Sequence, residues 1–346
     1  MNPSSEQSKY QKVCFTENCR TFPKPKLFCS RCITFENCRW NAQIIASAQI
    51  ELLKSHVEFI TNCPEKDLGL GVPRESMRLA KVNGITRLVQ PATNKDFSDE
   101  MVAYAQEKSS VYQDVDGFIL KNKSPSCGID EVRVYDSPES KSATDKAKGV
   151  FGNYILTHFE GRPITDEGRL YNMRIWENFL TQIYMVAEFR KTKELGTINA
   201  LIQFQTHEKL LLMAYNQNIL HQMGKLLGNQ TNESVGEIYK KYDVFFYQAI
   251  AEMPAYTAHI NVLQHALGYF KDKISASEKQ FFLTELENYR SGLIPLSVMI
   301  HILRSWIIRF NEPYLLQQYY FQPFPDELDT QENFYSNKEK ESRVKK

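Results

Sequence analysis

Residues 114 to 128 read DVDGFILKNKSPSCG, and this stretch restricts the folds open to the chain more than any other. The run Gly117 to Leu120 is short, apolar and bounded by turn-forming residues. That pattern predicts a fully buried strand of an α/β sheet, because a strand covered on both faces has no polar alternation to show. A polar loop follows and ends on Cys127 and Gly128. Lys121, Asn122, Lys123, Ser124 and Ser126 place donors and cations around that thiol, a setting that lowers a cysteine's pKa. Cys127 is therefore a candidate ligand or nucleophile, set against the plainer reading of a buried, inert cysteine at a strand end.

Upstream, the pattern repeats. A strand from Lys26 leads to Cys32; a helix over about 42–55 leads to a strand Val57 to Thr61 and then Cys63. Further strands are expected at 85–89 and 132–135, with a helix at about 98–109. Strands alternating with helices predict a mostly parallel α/β sheet, in which ligands bind beyond the carboxyl ends of the strands. Cys32, Cys63 and Cys127 each fall directly after a predicted strand, so three strand ends bring three thiols to one edge. Such a set suits an iron–sulfur cluster with one iron left open, or a catalytic zinc with one open position, and spacing alone does not choose between them. Three unrelated buried cysteines is the third reading.

Six of the seven cysteines lie in the first 63 residues, which in a chain without a secretion-type N-terminus points to metal or catalysis before disulfides. Cys14, Cys19, Cys29 and Cys32 can also be read as a four-thiolate zinc knuckle, which would make the chain a metal-stabilised binding or sensor protein. The opening MNPSSEQSKYQK has no apolar run, and the apolar segment 293–310 is interrupted by Pro295, His301, Arg304 and Ser305. A cytoplasmic protein with no membrane partner is the expectation. With 42 Lys and Arg against 41 Asp and Glu, bulk charge does not mark a nucleic-acid module, so any RNA contact has to use local clusters.

After a polar stretch at 137–149 the pattern turns helical, and the expected organisation is an extension at 1–24, an α/β domain at 25–148, an all-α domain at 149–328 and a charged tail at 329–346. Pro163, Thr165, Asp166 and Glu167 read as a helix start, 204–227 as a long amphipathic helix, and Ser275 with Glu278 as a capping box. Arg162, Arg169, Arg174 and the run Arg190, Lys191, Thr192, Lys193 are candidate phosphate contacts, against the plain reading of a solvated helix face. His207, His221, His259, His265 and His301 read as hydrogen-bonded histidines and not as ligands.

Several motifs carry a resemblance. Ser30-Arg31-Cys32, Cys38-Arg39-Trp40-Asn41, Cys63-Pro64-Glu65 with Gly69-Leu70 and Pro73-Arg74, Gly117 to Lys121, and Ser124 to Gly128 together resemble the thiouracil desulfidase (TudS) family over about 26–145. The first motif departs from that family, with Cys32-Ile33-Thr34-Phe35 for Cys-Leu-Leu-Gly and Arg39-Trp40-Asn41-Ala42 for Arg-Tyr-Asp-Gly. The resemblance implies a Rossmann-like α/β fold and a 4Fe-4S cluster on Cys32, Cys63 and Cys127, with Glu65 and a loop serine, Ser124 first, handling protons. Glu65 has a plainer alternative as a salt bridge to Lys66 or Arg74. Arg162-Pro163, Glu167 to Leu170, Glu177 to Phe179, and His207 with Lys209, Leu210 and Met213 resemble the YbgA-like helical domain. A fusion in this order is similar to the tRNA-acting (RudS) desulfidases. It implies a thiolated nucleobase as substrate, 4-thiouridine in tRNA or a free thiouracil-type base, with Lys121, Arg162, Arg169, Arg190 and Lys191 as candidate RNA contacts.

Overall fold

The computed structural model describes residues 20–229 and 233–329. Its first element, β1 (Lys26–Ser30), is buried from Leu27 to Ser30 and occupies the middle of the parallel sheet. A loop and helix α1 (Ala48–Leu53) carry the chain to β2 (Glu58–Asn62), which pairs parallel with β1 in a register that sets Ser30 opposite Asn62. The helix expected from residue 42 starts only at 48, because the Ser47 side chain caps it and the preceding residues run extended, bridging Ile45 to Ile33. One short turn, α2 (Pro64–Asp67), follows β2.

Three strands then leave the sheet: β3 (Arg78–Val82), β4 (Ile85–Gln90) and β5 (Lys95–Asp96). Together with β7 (Val132–Tyr135) and β8 (Ala143–Ala147) they form a second, mixed sheet in the order β5-β4-β3-β7-β8. The polar stretch 137–149 thus contains an exposed strand, held by its antiparallel pairing with β7. Helix α3 (Ser98–Tyr112) returns the chain to β6 (Gly117–Leu120), buried at all four positions and paired parallel with β1.

Two elements beyond residue 148 belong to the α/β unit. Helix α4 (Val150–His158) packs Phe151, Tyr154 and Ile155 among Phe28, Phe118 and Met101. Strand β9 (Ile164–Asp166) completes the parallel sheet, β2-β1-β6-β9, by pairing with β6. The residues read from sequence as a helix start are therefore a strand, since β6 offers an open edge that the segment satisfies. The next helix, α5 (Met173–Leu195), begins at an Asn172 cap instead.

The remainder is helical: α6 (Ile198–Gly228), α7 (Val235–Ile250), α8 (Tyr256–Gly268), α9 (Ala276–Arg290), α10 (Leu296–Phe310) and the short α11 (Pro313–Leu316). The Ser275–Glu278 capping box is present at the start of α9. Helix α5 serves two cores. Trp176, Phe179, Leu180 and Ile183 cover the parallel sheet at Leu27 and Ile119, while Val186 and Phe189 enter the helical core with Phe204 and Phe246. Among the described residues no helix is long and apolar enough to cross a membrane.

The helical core encloses one acid that the chain does not satisfy. Glu208 on α6 is 1% exposed, and its Oε2 has no hydrogen-bond partner. Burial pushes its carboxyl up to about 8, with Glu188 adding to the effect and Arg20 opposing it. Between the ordinary carboxylate range and pH 8 the folded protein holds a proton that the unfolded chain releases. Stability should therefore fall as pH rises through that window, by up to about 1.4 kcal/mol per pH unit. Glu208→Gln should flatten this dependence, read from urea unfolding at pH 5 and pH 7.5.

Candidate active site

The three strand-end cysteines do share one edge. Cys32, Cys63 and Cys127 follow β1, β2 and β6, which are adjacent in the sheet, and their exposures are 9%, 7% and 6%. A fourth thiol lies among them. Cys38, fully buried, hydrogen-bonds through its side chain with both Cys32 and Cys63, and its carbonyl accepts from Cys63 Sγ at 3.8 Å. The bond to Cys32 pushes the Cys38 thiol up to about 11. Sequence reasoning gave Cys38 no role; its signal was the short distance from Cys32 within one loop.

The loop from Ser124 to Gly128 is built by close packing. Helix α4 opens against it, with the amides of Val150 and Gly152 donating to the carbonyls of Pro125 and Ser126 at 3.2 and 3.0 Å. A Cβ on Gly128 would stand 2.7 Å from the Ser124 carbonyl, and one on Gly152 would stand 2.4 Å from that of Gly128, so only glycine allows the contact. Ser124 Oγ accepts from the amides of Ser126 and Cys127 at 3.3 and 3.1 Å, which makes it the loop's internal cap.

The expected thiolate-favouring environment of Cys127 is not what the loop provides. Burial pushes the Cys127 thiol up, outweighing the hydroxyls of Ser30 and Ser124. The cationic contribution is absent because Lys121 Nζ pairs with Glu167 and donates to the Asn122 carbonyl, while the Asn122 amide groups go to Glu167 and Asp166. A thiol raised in this way stays protonated at neutral pH, unlike the thiolate of a free nucleophile.

Glu65 occupies the first turn after Cys63 and faces the same site. Its Oε1 accepts from Ser126 Oγ at 2.8 Å, and its Oε2 accepts from Arg74 Nε and Nη2 at 2.9 and 2.5 Å. The serine paired with the carboxylate is thus Ser126, two residues past Ser124. Lys66, the other ion-pair candidate, goes to Glu36 instead. Arg74, with a side chain 4% exposed, also donates through Nη1 to the carbonyls of Cys38 and Gly71 at 3.0 and 3.1 Å. One guanidinium therefore ties the acid, the Cys38 loop and the 71–74 loop together.

The altered first motif keeps its turn without glycine. Ala42, at the position of the resembling family's second glycine, has φ 54°, and its amide donates to the Arg39 carbonyl at 2.9 Å. A left-handed alanine costs about 1 kcal/mol, which the surrounding contacts must offset.

The basic residues separate into two places. Lys121 and Arg169 lie at the thiol edge, where Arg169 pairs with Asp130 at 3.2 Å and Asp166 at 3.4 Å. Arg162 and Arg190 lie at the opposite end of the strands, about 16 Å away by strand rise. There Arg162 Nη1 donates to the carbonyls of Tyr112 and Val115, and Arg190 Nε pairs with the buried Asp116 at 3.0 Å. Lys191 is exposed beside them. His259 Nδ1 bonds Tyr320 Oη at 3.0 Å and His301 Nδ1 bonds the Ser297 carbonyl at 2.7 Å, as expected of structural histidines.

Among the described residues, no three His, Cys, Asp or Glu side chains converge on a position for one metal ion. Thiols are soft donors of the kind that both zinc and iron–sulfur clusters take.

What this describes is an α/β domain with a thiol-lined site at the carboxyl edge of a parallel sheet, joined to a helical bundle. Residues 27–167 match the family model of 2-thiouracil desulfurase, and residues 209–325 match a family of unknown function, DUF1722. The chain carries a 2-thiouracil desulfurase family domain fused to a DUF1722 domain. The uncharacterized protein YbgA of Escherichia coli strain K12 is 25% identical over 154 residues, 44% of this chain and 91% of that protein. Among solved structures, a [4Fe-4S]-dependent thiouracil desulfidase, TudS, is 23% identical with a TM-score of 0.35, over 43% of this chain and 94% of its own.

Of the alternative zinc knuckle, Cys14 and Cys19 lie outside the described residues. Cys29 is fully buried on β1 within the core formed with Leu27 and Ile119. Cys29→Val should leave the metal content of the purified protein unchanged and stability within about 1.5 kcal/mol, since the swap nearly conserves apolar volume. Loss of metal in that variant, measured by elemental analysis, would restore the knuckle.

Proposed function

We propose that the protein is a desulfidase that replaces the sulfur of a thiolated uracil with oxygen and releases sulfide, with a 4Fe-4S cluster held by Cys32, Cys63 and Cys127. The observation that carries the reading is the meeting, at one sheet edge, of three separately delivered thiols with a carboxylate hydrogen-bonded to a serine. When bound, a cluster with three protein thiolates supplies an iron open to the soft thiocarbonyl sulfur.

The chain's own residues do the rest. Glu65 is the general base, taking a proton from the water that attacks the ring carbon, and Arg74 holds the carboxylate by two bonds that converge on Oε2, which leaves Oε1 turned toward Ser126 and the site. Ser126 relays the proton between Glu65 Oε1 and the substrate, while Ser124 keeps the loop in shape. Water adds its oxygen to carbon, the carbon–sulfur bond breaks, and the two protons of water leave with sulfide. The thiols' burial keeps bulk water from the metal edge.

The preferred substrate is 4-thiouridine in tRNA, supported by the helical domain beside the site and by Lys121 and Arg169 on its rim. A free thiouracil-type base is the second reading, favoured by the ion pairing of both rim cations and by the distance of Arg162 and Arg190 from the thiols. tRNA binding that weakens steeply with salt supports the first; desulfidation of the free base with no tRNA binding at low salt supports the second. The cytoplasm, where both substrates occur, is the proposed location.

Purified without oxygen, the protein should contain about four irons and four sulfides per chain. Cys127→Ala should lose both iron and activity, whereas Glu65→Gln should keep the iron and lose about 10²-fold or more in kcat. Arg74→Lys should fall between wild type and Glu65→Gln, because an ammonium cannot reproduce the two-bond clamp. Zinc in place of iron, or full iron retention in Cys127→Ala, would overturn the assignment.

A further inference from the structure

Of the three tryptophans, Trp176 and Trp306 are 0% and 6% exposed, but Trp40 is 48% exposed. An indole left half in water gives up much of the burial that favours it inside, so its place on the surface calls for a partner. Trp40 stands two residues from Cys38, the thiol in contact with Cys32 and Cys63. Its segment is rigidly built. The Trp40 carbonyl accepts from the Arg74 amide at 2.8 Å, the Cys38 carbonyl accepts from the Arg74 guanidinium at 3.0 Å, and the turn closes through left-handed Ala42. The two segments that Arg74 joins also expose Ile44 and Val72, at 39% and 36%. The 38–44 and 71–74 segments beside the thiols thus expose aromatic and apolar side chains, whereas charged side chains of that edge and of the edge beyond β6 and β9 are paired with one another.

We infer that Trp40 is the stacking platform for the thiolated base, a binding and specificity residue that holds the flat face of the pyrimidine while its thiocarbonyl enters the thiol-lined site. The inference rests on the desulfidase reading and adds the residue that recognises the ring. Stacking suits this duty because a base presented out of a nucleic acid stack, or free in solution, offers two planar faces and few other handles. A fixed loop keeps the ring's entropy cost low. Because base–aromatic stacking depends on the π-face and not on hydrogen bonding, a phenyl ring should replace much of the indole's effect and a methyl group none.

The test measures binding apart from turnover. In the Glu65→Gln protein, kept free of oxygen, equilibrium dialysis against 4-thiouridine gives Kd directly, and tryptophan emission reports whether the exposed indole is covered. We expect emission to be quenched on binding, Kd to rise about tenfold or more on adding Trp40→Ala, and Trp40→Phe to recover most of the affinity. In the otherwise wild-type enzyme the same substitutions should raise KM with little change in kcat. Equal Kd for Trp40 and Trp40→Ala, or no binding of 4-thiouridine to either protein, would overturn the inference, and capture of a protein partner by Trp40 without base affinity counts among those outcomes. Failure of the wild-type enzyme to release sulfide from any thiolated base is a separate result, which removes the desulfidase reading while the dialysis still decides whether Trp40 holds the ring.

Discussion

Parallel pairing of β2, β1 and β6 is the constraint from which the site follows. Parallel strands all end on the same side, so residues that follow them in sequence are gathered at one edge although the chain between them is long. The register brings Ser30 opposite Asn62 and Cys29 opposite Ile119, which leaves Cys32, Cys63 and Cys127 to emerge from loops that start at nearly the same level. A slip of one residue in any pair would turn the strand's core-facing side chains outward, and burial on both faces opposes it.

Around that edge, two close contacts convert proximity into a defined geometry. The carbonyls of the 124–128 loop meet the first amides of α4 at distances that only glycine permits at 128, 149 and 152. Arg74 does the corresponding work on the other side, joining Glu65 to the Cys38 carbonyl through one nearly buried guanidinium. A buried arginine is tolerated here because its donors toward Glu65, Cys38 and Gly71 are matched by oxygens. The carboxylate is held by charge-assisted bonds to a fixed guanidinium, which suits the proton-accepting role proposed for Glu65.

The helical half is tied to the sheet by α5, whose first turns cover β1 and β6 and whose last turns enter the bundle core. Arg190, near its end, closes on Asp116 just ahead of β6. The arginines that look from sequence like phosphate contacts are spent on this junction: Arg190 on a buried acid and Arg162 on the carbonyls before β6. Any nucleic acid reaching the thiols meets a different surface, with Arg169 and Lys121 already paired and Trp40 exposed.

Local pattern by itself determined the strand–helix alternation, the buried β6 strand, the capping box of α9 and the delivery of three cysteines to strand ends, because each depends on periodicity and turn chemistry within a few residues. The same signals were insufficient for β9 and β8, whose polar sequences pair only because a neighbouring strand presents an open edge, and for the start of α1, where a bridge to Ile33 outcompetes helix. Only the tertiary structure decided that Cys38 joins the thiols, that Ser126 and not Ser124 meets Glu65, and that Lys121 turns to Glu167 and leaves Cys127 to a burial that raises its thiol. Each of these is a contact between segments 25 to 61 residues apart, or a competition between partners for one side chain, apart from Cys38's link to Cys32 within a single loop. Such outcomes are set by which groups packing brings within a few ångströms, and that distance is not written in either segment alone.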